Sequence, residues 1–243
     1  MSKSAACLPV QTLLRFILFT LALAIAAPLH AAAPAHHKAA KRVRVKQVLA
    51  PAAHAVRDAA MSEDVKVVVD WILRTDQQAG RPFIVADKSN GMLFAFRGNG
   101  ELLVKAPALY GAVRTDEMTQ EQADKTWDEM VASDKITPAG IFPALGYQSP
   151  SYGASIRFAE LANSNLLIHR APAEWRRKNL QTPKPEKMRV TFGCINVLPE
   201  VLDKVLLPVF NAESTVFVLP ETQRAREFFA IDDTPAKLQT ARR

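Results

Sequence analysis

The 243-residue chain has little cysteine, with one residue at position 7 and one at position 194. So few cysteines exclude a small scaffold held by disulfides and a zinc or iron–sulfur site built on several cysteines. The chain also lacks an apolar run of the roughly 20 residues that a membrane-spanning helix needs. With 49% hydrophobic and 23% charged residues, it is neither disordered throughout nor a polytopic membrane protein. This length suits one domain with appendages.

The first 33 residues have the order of an export signal. Lys3 and Arg15 precede the apolar residues 16–29, and three alanines follow at positions 31–33. A basic start, a short apolar stretch and small residues at the end are typical of a secretory signal. We therefore expect a signal peptide over residues 1–33, and the alternative is an uncleaved membrane anchor. The exported chain would then keep a single cysteine, which cannot form an internal disulfide.

Two further segments flank the expected domain. Residues 34–60 are rich in Ala, Lys, Arg and His, and we expect a basic flexible linker there. Its basic residues 38–46 suit either contact with an anionic surface or a solvated spacer. We expect a charged C-terminal tail over residues 222–243. One folded domain remains, at residues 61–221.

The pattern within this domain favours β-structure. Ser62, followed by apolar residues at helical spacing, predicts a helix within residues 62–80, and the core is expected over 82–220. Short strand-like segments separated by turn residues predict an antiparallel meander from Pro82 to Tyr110. A helix is expected over 200–210, and further strands at Ser155–Phe158, Asn165–His169, Met188–Thr191 and Thr215–Leu219. The predicted fold class is mainly β with peripheral helices.

The expected domain holds one cysteine, Cys194, and one histidine, His169. A thiol reacts as its thiolate, and an imidazole within hydrogen-bond reach is the usual means of forming one. Gly193 lets the backbone bring N–H groups towards a reacting carbonyl. The alternative is a small buried cysteine and a structural histidine. One cysteine and one histidine cannot close a metal site, so we expect neither a metal nor another cofactor.

Four segments follow one another along the chain: Pro82–Gly111, Thr137–Phe142, Leu167–His169 and Thr191–Asn196. Together they resemble the catalytic domain of the L,D-transpeptidase family of the YkuD type. In that order, they are similar to its opening strands, its Thr-Pro-x-Gly-x-Phe turn, its histidine strand and its Ser/Thr-x-Gly-Cys-x-Asn/Arg signature. The resemblance implies an L,D-transpeptidase-like β-sandwich with peripheral helices. The connection from 170 to 190 is longer than usual, which indicates a divergent member.

The resemblance also implies an activity on peptidoglycan stem peptides in the periplasm or cell wall. Cys194 would attack the carbonyl at the L-to-D bond of diaminopimelate, His169 would act as general base, and the Gly193 backbone would stabilise the oxyanion. An amine of a second stem would resolve the acyl-enzyme and give a 3-3 or 1-3 cross-link. The alternatives are an L,D-carboxypeptidase or endopeptidase, and a non-catalytic cell-wall binding domain.

Five residues are expected to bind substrate: Arg170, Arg189, Asn196, Thr191 and Tyr152. The two arginines flank the catalytic pair and would meet substrate carboxylates. For Arg176–Lys178 in the connecting loop, substrate binding and a solvated loop both remain open. Residues 38–46 would contact an anionic membrane or wall polymer, and nucleic acid is not an expected partner.

Overall fold

The computed structural model describes residues 61–210 and 212–232. The expected signal peptide, residues 1–33, and the expected linker, residues 34–60, lie outside the described residues. Within the described ranges, no helix has both the length and the apolar character to cross a membrane.

The described chain is built mainly from short strands. These are β1 (Phe83–Asp87), β2 (Met92–Phe96), β3 (Leu102–Pro107), β4 (Tyr110–Gly111), β5 (Gly140–Ser149), β6 (Gly153–Glu160), β7 (Asn165–Arg170), β8 (Arg189–Thr191), β9 (Ile195–Val197) and β10 (Ser214–Val218). The helices are α1 (Glu63–Thr75), α2 (Gln120–Asp124), α3 (Glu174–Gln181), α4 (Pro199–Val201), α5 (Leu207–Val209) and α6 (Ala225–Phe228). A π-helical turn, Leu202–Leu206, joins α4 to α5, and 3-10 turns lie at Ala132–Asp134 and Pro185–Lys187.

Helix α1 begins where the sequence predicts it. The Ser62 hydroxyl accepts a hydrogen bond from the backbone N–H of Val65 at 3.3 Å, which satisfies one of the free donors of the first turn. The helix ends at Thr75, before the predicted limit at 80, because Asp76 takes the left-handed conformation with φ 53°. The apolar side of α1, including Val68 and Ile72, is fully buried.

Eight strands form one sheet in the order β3-β2-β1-β10-β5-β6-β7-β9. The pairs β1–β10 and β7–β9 are parallel, and the other neighbours are antiparallel. The meander predicted from Pro82 onwards is therefore confirmed as β1, β2 and β3. The mainly β fold class is confirmed as well.

The large sheet bends so that its two halves share one core. A single buried cluster contains side chains from both halves, among them Ile84 and Val216 from the first and Ile156, Ile168 and Ile195 from the second. A second cluster covers the other face of β1, β2 and β10 with α1 and α6. The helices are therefore peripheral, as expected for a sandwich with outer helices.

A small parallel sheet of β4 and β8 connects the meander to the segment around Cys194. Tyr110 is paired with Arg189, and Leu109 exchanges backbone hydrogen bonds with Asn196 at 2.9 and 3.0 Å. The chain after β3 is thus held against the segment that carries the candidate nucleophile.

The start of the expected C-terminal tail packs against the domain. The Phe229 ring stacks on Trp71 with centroids 5.9 Å apart, and Ala225 and Ile231 are buried in the cluster under α1. The backbone N–H of Thr222 donates to an Asp116 carboxylate oxygen at 2.9 Å. Residues 222–231 of the expected tail therefore pack against the domain.

Candidate active site

The fold brings Cys194 and His169 into one pocket. His169 lies on β7, in register with Asn196 on the parallel strand β9, and Cys194 directly precedes β9. Both line a cavity of about 310 Å³. The rest of its lining is Trp127, Tyr152, Pro172, Ala173, Trp175, Arg176, Thr191 and Phe192.

The backbone before the cysteine is held in a shape that requires glycine. Gly193 has φ 126°, and a Cβ atom there would lie 2.5 Å from the carbonyl oxygen of Ile136. The buried Thr137 hydroxyl donates to the Gly193 carbonyl at 2.8 Å and accepts the Gly111 N–H at 2.8 Å. The Thr137 turn, predicted as a family segment, thus directly supports the loop of residues 191–194, which carries the candidate nucleophile.

Thr191 closes the same loop from the other side. Its hydroxyl donates to the carbonyl oxygen of Cys194 at 2.6 Å and accepts the N–H of Gly193 at 3.2 Å. The Gly193 N–H is therefore occupied and does not face a reacting carbonyl in this conformation, contrary to the oxyanion role expected for it. Thr191 lines the pocket as expected, although its hydroxyl is used within the loop.

A chain of three hydrogen bonds fixes the imidazole of His169. The Arg176 guanidinium donates through Nη1 to Asn196 Oδ1 at 2.8 Å, Asn196 Nδ2 lies 2.9 Å from His169 Nε2, and His169 Nδ1 lies 2.8 Å from the Arg170 carbonyl oxygen. A guanidinium can only donate, so the amide oxygen of Asn196 faces it and the amide NH₂ faces the histidine. Nε2 is then an acceptor, and the ring proton is on Nδ1. Asn196, expected to bind substrate, is used here to orient His169.

Burial keeps both groups of the pair neutral. Cys194 is 3% exposed, and this burial raises the pKa of its thiol from 9.0 to about 11. Burial also lowers the pKa of His169 from 6.5 to about 4; the Arg170 carbonyl opposes this shift and the Arg176 charge adds to it. The Cys194 sulfur lies 3.9 Å from the Asn165 carbonyl oxygen, and both ring nitrogens of His169 have other partners. The pair is thus a thiol and a neutral imidazole without a shared hydrogen bond.

Tyr152 reaches the pocket as predicted. Its ring stacks on the His169 ring with centroids 3.8 Å apart and an interplanar angle of 18°. Stacking of this kind holds the imidazole plane from one side. Tyr152 is half-buried, so its ring separates His169 from solvent on that side.

The two arginines expected to meet substrate do not line the pocket. Arg170 pairs with Asp203 at 2.5 Å, because side chains on successive strand residues point to opposite faces and its neighbour His169 faces the cavity. Arg189 is buried and pairs with Glu221 at 2.6 Å. Each of the two charges is neutralised within the domain, which corrects the sequence-based expectation for both.

The sequence analysis did not single out Trp127 and Phe192, two aromatic side chains of the cavity. Trp127 and Trp175 are 41% and 51% exposed, and the Phe192 ring lies 5.4 Å from that of Trp127. The position of Phe192 next to Gly193 is a local signal that could have placed it at the cavity. Only the fold brings Trp127 to the cavity. Part of the connection 170–190 forms α3, which carries Trp175 and Arg176. Within the described residues, no three His, Cys, Asp or Glu side chains come together as a metal site.

No family model matches this chain, and no curated protein matches it. Among solved structures, an L,D-transpeptidase from Mycobacterium smegmatis is similar at 19% identity over 57% of this chain and 58% of that one, with a TM-score of 0.37. An L,D-transpeptidase from Stackebrandtia nassauensis is similar at 14% identity over 66% and 68%, with a TM-score of 0.39. The catalytic domain of the E. faecium L,D-transpeptidase matches at 19% identity over 58% and 98%, with a TM-score of 0.36. This chain spans somewhat over half the length of the mycobacterial structure. The assignment of function therefore depends on the chemistry of the site.

Proposed function

We propose that the protein is a cysteine acyltransferase of the L,D-transpeptidase type that acts on peptidoglycan stem peptides. The supporting observation is that Cys194 and His169, far apart in sequence, line the same pocket. An oriented imidazole beside a thiol is the arrangement that nucleophilic cysteine catalysis requires. A purely binding module has no need of it.

In this mechanism the proton transfer accompanies the attack. His169 Nε2 exchanges its bond to Asn196 for the thiol proton as Cys194 attacks the carbonyl at the L-to-D bond of diaminopimelate. The tetrahedral intermediate collapses to a thioester, and the imidazolium gives its proton to the departing D-amino acid. Since the Gly193 N–H is bonded to Thr191, the Cys194 N–H is the candidate donor to the oxyanion. An amine of a second stem then attacks the thioester; His169 takes the amine proton and passes it to the departing sulfur of Cys194, which regenerates the thiol.

We propose further that the chain is exported to the periplasm or cell wall and that the product is a 3-3 or 1-3 cross-link. The signal-like order of residues 1–33 supports export. The cavity lining includes the exposed side chains of Trp127 and Trp175, which supports access of a second stem from solvent.

The proposed transpeptidase activity is tested by expressing the wild type and Cys194→Ala in a peptidoglycan-containing host. We expect new cross-linked muropeptides with the wild type and none with the variant, because alanine removes the nucleophile and little volume. Mass spectrometry of digested cell walls provides the measurement. Shortened stems without cross-links would indicate the hydrolytic alternative. Identical muropeptides with both proteins folded and exported would contradict the proposal that this protein is an enzyme.

A further inference from the structure

Arg176 is a partly buried cation in the pocket wall without a carboxylate partner. Its Nη1 donates to Asn196 Oδ1 at 2.8 Å and its Nη2 to the Val190 carbonyl at 3.2 Å. Neither acceptor carries a charge. A guanidinium has five N–H donors, so three are not used in these two bonds.

Other arginines near the site are already neutralised or face elsewhere. Arg170 is paired with Asp203 and Arg189 with Glu221. Arg177 donates to the carbonyls of Ala171 and Pro172, both at 3.1 Å, and is not part of the cavity lining. Among the described lining residues, Arg176 alone carries a full charge at neutral pH.

This cation acts on the reacting groups. Its positive charge favours the thiolate of Cys194 and disfavours the imidazolium of His169, and so contributes to lowering the pKa of both. Burial lowers the pKa of Arg176 itself, although a guanidinium stays protonated at neutral pH. A partly desolvated charge with neutral partners is most stable when an anion joins it.

We propose that Arg176 is a specificity-determining residue that binds a carboxylate of the substrate beside the Cys194 thiol. A carboxylate matches the planar fork of the guanidinium, and the cavity lining includes no Asp or Glu to compete for it. The aromatic rings of Trp175 and Phe192 border the same cavity and suit the apolar part of such a ligand. The identity of the substrate as a stem peptide rests on the proposed function, whereas binding of the carboxylate does not.

The test compares two alkylating reagents of nearly equal size on the full chain, iodoacetate and iodoacetamide. In both, the thiolate displaces iodide, but only iodoacetate carries a carboxylate. The rates at Cys194 are measured by mass spectrometry of its peptide at pH 8.5, and glutathione alkylated under the same conditions provides the reference thiol. We expect the iodoacetate-to-iodoacetamide rate ratio at Cys194, divided by that of glutathione, to fall about tenfold in Arg176→Gln.

Arg177→Gln is the matched control, since it removes a neighbouring guanidinium outside the cavity, and we expect it to keep the wild-type ratio. Arg176→Lys retains a charge and should preserve most of the ratio, which covers the case in which Arg176→Gln does not fold. An unchanged ratio in Arg176→Gln, an equal slowing with both reagents, or an equal drop in Arg177→Gln would overturn the proposal.

The test also separates this proposal from the enzymatic one. If the rate ratio depends on Arg176 but the muropeptides do not depend on Cys194, the carboxylate site is supported and the transpeptidase activity is contradicted. If the muropeptides depend on Cys194 but the rate ratio does not depend on Arg176, the transpeptidase activity is supported and the carboxylate site is contradicted.

Discussion

At the residue scale, burial lowers the pKa of His169 and raises that of Cys194. Each shift makes the free energy of unfolding depend on pH. Folded His169 takes up a proton only near pH 4, whereas an unfolded histidine does so below about 6.5. The unfolded chain binds more protons in this window, so stability falls as the pH drops from 6.5 towards 4. Folded Cys194 keeps its proton up to about pH 11, from an ordinary value of 9.0. Stability therefore also falls as the pH rises from 9 to 11.

Replacing His169 with Gln removes the acidic part of this dependence. Between pH 7 and pH 5, we expect the wild type to lose about 2 kcal/mol more of its free energy of unfolding than His169→Gln does. The measurement is urea denaturation of both proteins at the two pH values. Parallel losses in the two proteins would show that His169 is not a buried neutral imidazole.

At the scale of elements, the loop of residues 191–194, which carries the candidate nucleophile, depends on a turn more than fifty residues away in sequence. The Thr137 hydroxyl connects Gly111 at the end of β4 to Gly193 before β9. Both bonds are buried, so no water can replace the hydroxyl. Together with Thr191, this turn holds Gly193 in its positive-φ conformation and the Cys194 thiol at the cavity.

Thr137→Val keeps the shape of the side chain but removes both hydrogen bonds. Since a buried N–H and a buried C=O lose their partner, we expect a loss of about 2–4 kcal/mol in the free energy of unfolding. Thr137→Ser retains the hydroxyl and serves as the control, with a loss of about 1 kcal/mol for the missing methyl group. Urea denaturation measures both. A valine variant as stable as the serine variant would contradict the role of the hydroxyl.

Sequence patterns predicted some elements better than others, for identifiable reasons. Helix α1 and strands β1 to β3 have local signals: a Ser62 cap, helical spacing and glycine turns. Pro143 and Gly146 interrupt the ten-residue strand β5, so only its start carried a strand signal. Helix α3 is polar with one buried residue, Leu180, so its sequence resembles a loop.

At the scale of the whole molecule, a buried group of charges holds the C-terminal segment to the domain. Lys88 donates to Asp116 at 3.1 Å and lies 3.6 Å from Glu221, which also pairs with Arg189. Asp116 in turn accepts the N–H of Thr222 at 2.9 Å. Buried charges of this kind are costly when a partner is removed, so the segment after β10 belongs to the folded unit.

A chain that ends at Glu221 should therefore be less stable than the full chain. It lacks the Thr222 bond, the Phe229 stack and the buried Ala225 and Ile231, and we expect at least about 3 kcal/mol of lost stability. Ile231→Ala in the full chain isolates one of these contacts, with an expected loss of about 2 kcal/mol. The stabilities are compared by the midpoints of chemical denaturation. Equal midpoints for the shortened and full chains would show that the segment does not contribute to stability.

The sequence by itself determined the mainly β class and the identity of the candidate pair, since Cys194 and His169 are single residues of their types within the domain. Gly193 was also visible, because a glycine beside a cysteine is a local signal. Only the tertiary structure decided which cation faces the thiol. The sequence favoured Arg170 and Arg189 because they flank the candidate pair, but Asp203 and Glu221 neutralise both of them from distant parts of the chain. Charge pairing and cavity lining depend on contacts between segments that are distant in sequence, and a local sequence pattern does not predict such contacts.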